Sequence, residues 1–408
     1  MSRRTLILSV IAFLILLIPV GIYIAPELVA FIYGVIFFLA PLWLPVILFW
    51  IAWPLWLVLI RSAYMAGITY ITLELEPGTE TPQTAKAMEL VFYSLYSRTS
   101  ISRMEAFLFG RVREPFSLEL YSHNGRVRFF VHLPKHKKTA FESRIRSEYH
   151  DISVNEVRDY SRELHFDPFS MKLIAKEYTL SKPDPYPLKT YVSYEEDRNK
   201  RDVFAELIER IAKTKEGEHI LLSFIIRSHQ RDRYSLFENP RDTLHEDAQK
   251  EIAKLVGNKG AFENLSPATK RVVSLIEGAL TKPSFDCGIR ALYIAPNESF
   301  DETYNDKLDT LFQPFNDEEL NGFVTVHPHT KKGIFISEVF SAVSEFASGH
   351  LLDLYRRRAF FAPPYYGNAF VLNTEELATV FHIPHARRGS ALARARGVVL
   401  QPPDNLPI

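Results

Sequence analysis

The 408-residue chain contains a single cysteine, Cys287. No intramolecular disulfide and no Cys-rich zinc site can be built from it, and one thiol fits a reducing compartment. Charge is missing from a long stretch. Residues 5–60 hold one acidic residue, Glu27, and no Lys or Arg. Net charge is missing as well: 48 basic residues meet 48 acidic ones, which leaves no global footprint for nucleic acid or anionic surfaces. The short motifs that carry known mechanisms are also absent. There is no G-x-x-x-x-G-K-[ST], no G-x-G-x-x-G, no H-E-x-x-H and no G-x-S-x-G. Catalysis and cofactor binding therefore have no motif support, and no cofactor is expected. An enzyme of unfamiliar type stays open, because Asp and Glu are plentiful but no spacing identifies a pair.

The uncharged stretch is apolar. "TLILSVIAFLILLIPVGIYIA", residues 5–25, is about the length that crosses a bilayer core as a helix. A second run, 28–60, is punctuated by Pro41, Pro45 and Pro54. It reads as an interfacial or partly inserted piece over 28–40 and a second span over roughly 41–60. All four tryptophans, Trp43, Trp50, Trp53 and Trp56, fall within it, and those near its ends suit the headgroup boundary. Arg3 and Arg4 precede the first span and Arg61 follows the second. Basic flanks stay cytoplasmic, so the expectation is a hairpin with both ends inside and a cytoplasmic soluble domain at the inner membrane. Three spans would put the large domain outside and leave Arg61 on the wrong side.

From residue 63 onward the pattern is that of an ordinary α+β protein. "YITLELE" alternates as a strand; 82–97 places Ala85, Met88, Phe92 and Leu95 on one helix face, with Pro82 near its start. "FSLELYS" and "RVRFFVHL" are strands joined at His123-Asn124-Gly125, where Asn-Gly supplies the positive φ of a tight turn. A helix near 137–149 and a strand near 152–157 complete the order β-α-β-β-α-β, the ferredoxin-like signature. The order repeats: strand "MKLIAKEYTL", helix "RDVFAELIERIAKT", strand "HILLSFIIR", two inserted helices near 242–256 and 266–281, strand 285–295, helix 301–313 and a strand near 322–327. "HILLSFIIR" is apolar on both faces, as a central strand would be. The organisation expected is an anchor over 1–62, a first ferredoxin-like module over 63–168, a second with a helical insertion over 169–335, and a helical, linker-like tail over 336–408. Within that tail a helical stretch over 337–361, broken at Gly349, ends in "YRRRAFF". "FVLNTEELATVFHIP" follows as a strand and a helix capped by Asn373, with Glu376 at the capping-box position.

Three local constellations carry weaker signals. His327 and His329 flank Pro328 and on a strand would face one way, but no third metal ligand is identifiable. "HLPKHKK" is a basic run of the kind that is usually solvated. "YRRRAFF" interleaves Arg356, Arg357 and Arg358 with Tyr355, Phe360 and Phe361. It is a candidate basic and aromatic surface for bases, lipid or protein.

Several phrases resemble a family. "FVLNTEELATVFHIP", followed by "PPDNLP", resembles the segment just upstream of the nucleotide-binding core in conjugative coupling-protein ATPases, which are membrane-anchored, type IV secretion-like and HerA/FtsK-related. "FSLELYSHNGRVRFFVHLPKH", "EGEHILLSFIIR", "LSPATKRVVSLIEGALTKPSFDCGIRALYIA" and "LNGF" look like the amino-terminal region of the same proteins. In the longer members the ATPase core follows the "NLP" phrase; this chain ends there, so no catalytic residue carries over. The resemblance implies a non-catalytic inner-membrane component of a DNA or protein translocation system. Its partners would be the membrane, a separately encoded P-loop ATPase with which it forms an oligomer, and DNA indirectly. Partner-docking candidates are Asn373, Glu375, Glu376, Phe381, Pro402 and Pro403. The alternative is a membrane-anchored nucleic-acid-binding protein that stacks bases on its sheets, with Phe130 and Tyr121 as candidates by alternation.

Overall fold

The computed structural model describes residues 26–78, 85–97, 101–196, 202–230, 243–257, 265–326, 344–362 and 365–384. The chain divides into two compact units, one ending at Ile60 and one beginning at Arg61.

α1 (Pro26–Phe38) belongs to the first unit, and after Leu39 comes α2 (Ala40–Gly67), whose residues up to Ile60 belong to the first unit and from Arg61 to the second. The break is stitched by Trp43, whose Nε1 donates to the Ile36 carbonyl at 3.0 Å. Among the described residues, α2 is the one helix long and apolar enough to cross a membrane. Its 28 residues extend to about 42 Å at the standard helical rise. Pro45 and Pro54 lie inside it. The helix runs past the expected limit of 60 and ends seven residues later. The span expected over 5–25 lies outside the described residues.

The second unit is built on one antiparallel sheet of nine strands. Its first half supplies β1 (Tyr70–Glu76), α3 (Ala85–Leu95), α4 (Arg103–Leu108), β2 (Phe116–His123), β3 (Arg126–Pro134), α5 (Lys138–Glu148), β4 (Ser153–Val157) and α6 (Tyr160–Glu163). Asn124 and Gly125 both adopt positive φ in the β2–β3 turn, as that dipeptide predicts. The second half supplies β5 (Met171–Leu180), α7 (Tyr191–Glu196), α8 (Val203–Ile211), β6 (His219–Ser228), α9 (Thr243–Val256), α10 (Pro267–Leu280), β7 (Ser284–Pro296), α11 (Tyr304–Asp309) and β8 (Phe323–Val326). The closing segment contains α12 (Ser344–Arg356), β9 (Phe361–Ala362), β10 (Tyr365–Tyr366), β11 (Phe370–Asn373) and α13 (Thr374–Val380). The strands lie side by side as β4-β1-β3-β2-β6-β7-β5-β8. Within each half, the spatial order is fourth, first, third, second. The halves meet where β2 pairs β6 over eight residues, from Phe116↔Ile226 to His123↔His219.

Alternation along the strands sends one set of side chains into each face. The larger core holds Leu73, Leu118, Phe129, Leu222 and Ile289 under α3, α5, α8 and α13. On the opposite face Phe130, Leu221 and Leu292 pack under α6 and α12. Strand β6 is buried along nearly its whole length because it is central and covered on both sides, as its sequence suggested.

The closing segment departs from the expected tail. Strand β11 pairs β7 through Phe370↔Cys287, and α13 packs against α3, so 370–384 is woven into the body. Asn373 and Glu376 do form the capping box, with the Asn373 side chain accepting from the Glu375 and Glu376 N–H groups. Helix α12 passes through Gly349 without a break and stops at Arg356. Past it, the Phe360 ring is wedged between two backbones: a Cβ on Gly288 would lie 2.2 Å from Phe360 and one on Gly367 2.4 Å. Glycine at both positions is a close-approach requirement. Gly288→Ala is expected to destabilise the chain by about 1–3 kcal/mol as an overpacking change. The same substitution in a Phe360→Ala background should cost much less. Circular-dichroism melts of the four proteins measure the coupling, and additive shifts would contradict the wedge.

Candidate functional site

Among the described residues, a cleft of about 860 Å³ opens in the second unit. Its wall is assembled from strand ends and helix ends. The last turns of α2 bring Arg61, Ser62 and Met65; β1 and β3 bring Tyr70, Thr72 and His132; the entry to β2 brings Arg113 and Phe116. Asp159 and Arg162 come from α6 and the residue before it, Arg227 from the end of β6, and Arg356–Ala362 from the exit of α12. Seven arginines line the cleft against two carboxylates, Glu156 and Asp159.

Arg358 organises the floor. Helix α12 ends in a Schellman motif: the Arg358 N–H donates to the Tyr355 carbonyl and the Ala359 N–H to the Leu354 carbonyl. The left-handed position of that motif, normally glycine, is Arg358, with φ +50. A non-glycine residue there costs about 1 kcal/mol or more. What holds it is a double clamp. The guanidinium donates to Glu119 through Nε at 2.9 Å and Nη2 at 3.1 Å, and to Asp159 through Nη1 at 2.5 Å and Nη2 at 2.9 Å. Glu119 is fully buried on β2. It also accepts from Ser117 Oγ and from the Tyr160 hydroxyl, which shares a 2.7 Å hydrogen bond with Tyr355. Burial alone would raise the Glu119 pKa, but the charge and hydrogen bonds of Arg358 outweigh it and hold the carboxyl below its ordinary range. Asp159 is likewise pushed up by burial and pulled down further by Arg358, to about 2.

The other arginines are positioned differently. Arg356 donates to the Ser161 carbonyl at 2.9 Å and the Leu164 carbonyl at 2.6 Å, contacts that orient the group without neutralising it. Arg113 and Arg227 share Asp286 at 3.2 and 2.8 Å, and Arg227 also stacks 4.4 Å from the Phe361 ring centre. Arg357, exposed, pairs with Asp353 on its own helix, and Arg162, exposed, lies 3.6 Å from Asp159. The Arg61 side chain hydrogen-bonds Tyr366. His132 stacks on Tyr70 with centroids 5.1 Å apart and meets Thr72 Oγ1 through Nδ1 at 3.0 Å. Burial first, and the Arg358 charge next, push its pKa down to about 4, so it adds no charge near neutrality.

No family model matches the chain, and no curated protein does.

The expected site residues are redistributed. Of the basic and aromatic candidates, Arg357 is exposed, Arg356 is half-buried, and Arg358 and Phe360 are buried, so they do not form one stacking surface. Of the docking candidates, Asn373, Glu376 and Phe381 are core residues. Phe381 lies against the rings of Phe129, Phe204 and Phe224. All three side chains are taken up by the core. Glu375 is half-buried and paired with Lys282; Pro402 and Pro403 lie outside the described residues. Phe130 is fully buried on Tyr160, which withdraws it from base stacking, and Tyr121 is half-buried beside it. His327 and His329 also lie outside the described residues, and among the described residues no metal-holding group of His, Cys, Asp and Glu occurs. Arg113, Arg162 and Arg227 were not legible as site residues. Each is an isolated arginine, and only the strand order gathers them.

Two outcomes follow. Arg358→Met should cost about 3–5 kcal/mol by leaving buried carboxylates unpaired, and adding Glu119→Gln should recover part of that loss. Guanidinium unfolding followed by circular dichroism measures both, and a double mutant no better than the single would refute the clamp. The second concerns pH. His132 and His219 have folded pKa values pushed down to about 4, by burial in both cases, from an ordinary 6.5. The unfolded chain therefore binds more protons between those limits. Stability is fully present above pH 6.5 and is lost as pH falls toward 4. His132→Asn, which can keep the Thr72 contact, should remove one proton from that dependence. An unchanged slope would show that His132 does not titrate as described.

Proposed function

We propose that the chain is a non-catalytic, membrane-anchored component of a type IV secretion- or conjugation-like translocation system, holding a separately encoded P-loop ATPase at the inner membrane. The observation that carries this reading is α2, among the described residues the one helix long and apolar enough to cross a bilayer. The phrases that resemble coupling-protein ATPases add the translocation context. In this reading the anchor is a hairpin with the first span over 5–25, and Arg3, Arg4 and Arg61 keep both ends and the soluble unit in the cytoplasm. The two halves of the sheet are ferredoxin-like modules, a reading supported by their shared order of fourth, first, third, second strand.

An anchor needs no chemistry of its own to matter. Tethering raises the local concentration of a motor at the membrane, and an oligomeric motor multiplies the effect. With Asn373, Glu376 and Phe381 committed to the core, docking falls to the surface and to residues 385–408.

The test is affinity capture of the tagged full-length chain from native membranes in mild detergent. A P-loop ATPase should co-purify and should be depleted when 385–408 are deleted. Recovery of no such ATPase, with or without those residues, or nucleotide hydrolysis by the purified chain alone, would overturn the proposal.

A further inference from the structure

We infer that the arginine-lined cleft binds the phosphate of an anionic phospholipid headgroup. The inference rests on the membrane reading of α2 and not on the ATPase partner. The chemistry is set by the charge around the lining: its seven arginines outnumber the four carboxylates that pair with five of them, Glu119, Asp159, Asp286 and Asp353. A further lining carboxylate, Glu156, is paired with Lys138 at 2.6 Å. His132 brings no negative charge. Arg356 is aimed by backbone carbonyls that leave its charge in place. Planar guanidiniums fixed in this way match phosphate oxygens. A volume of about 860 Å³ accommodates a headgroup with its glycerol.

A free phosphate or nucleotide shares that chemistry; three observations favour lipid. Arg61 lines the cleft and directly follows an apolar run in which residues 28–60 carry no charge. Met65 and Ile68, from the same end of α2 and just beyond it, give the wall an apolar strip. The neighbouring segment 103–115 touches this end, with Tyr70 donating to the Pro115 carbonyl and Tyr64 approaching Glu114 at 3.4 Å. That segment exposes Met104, Leu108 and Phe109 by 67%, 54% and 67%. Three large apolar side chains exposed on the segment that enters the cleft wall at Val112, Arg113 and Pro115 suit a surface that meets the headgroup and upper acyl region.

The full-length chain in neutral detergent is titrated with phosphatidylglycerol or with phosphatidylcholine of the same acyl chains, and bound lipid is counted by native mass spectrometry. Phosphatidylglycerol should be retained in preference. Arg162→Gln with Arg357→Gln, two exposed positions whose loss leaves the fold intact, should weaken that retention about fivefold per charge removed and leave phosphatidylcholine unchanged. Arg61→Gln should act in the same direction. Equal retention of the two lipids, or retention unmoved by all three substitutions, overturns the assignment. So does displacement of phosphatidylglycerol by inorganic phosphate, or by a short single-stranded oligonucleotide, at concentrations no higher than the lipid's own; either result gives the cleft to a soluble anion or to nucleic acid. A chain that stays in the aqueous layer of a Triton X-114 phase separation would sink the membrane reading and this inference together. Failure to capture an ATPase leaves the lipid result standing.

Discussion

One guanidinium fixes the far face of the sheet. Arg358 holds Glu119 of β2 and Asp159 of the β4–α6 connection in a single fork, from a backbone conformation that its side chain disfavours. An isolated charge at either buried position would cost several kcal/mol, so neither partner is tolerable without the other. Because Arg358 lies two residues past the end of α12, the clamp ties the closing segment to the first half of the chain. Tyr355 and Tyr160 extend the same polar knot. The exit of α12 is therefore placed by electrostatics, and the cleft wall that it forms inherits that placement.

The knot belongs to a wider pattern. Across the centre of the sheet, Glu119 lies opposite Ser223, Ser223 opposite Arg290, and Arg290 opposite Glu177, a polar row that crosses from one half to the other. Arg290 and Glu177 are both fully buried and joined at 2.6 Å. The opposite face at the same strands is hydrophobic. One face thus supplies most of the burial, while the other carries charge pairs that tolerate only one register. A one-residue slip of β2 against β6 would bring Glu119 into the aliphatic core.

Much of the architecture was legible because it is local. β5 was read at its observed limits, the Asn124-Gly125 turn set the β2–β3 hairpin, and the Asn373–Glu376 box marked the start of α13. What was not legible is long-range. A gapless helix through Gly349 and the insertion of β11 beside β7 depend on packing that no short window contains. Buried charge is the least legible feature: Arg358 and Glu119 are 239 positions apart, and taken alone each belongs on a surface. The same holds for the cleft, whose arginines are scattered from 61 to 358.

The seam between β2 and β6 has a bearing on how such a chain can be divided. β6 is ten residues long and apolar toward both faces, and its pairing with β2 is what keeps one of its edges from solvent. Cut near residue 168, the carboxyl-terminal piece would present that edge bare, a ready template for adhesion to copies of itself. Along this seam each half is the other's edge protection.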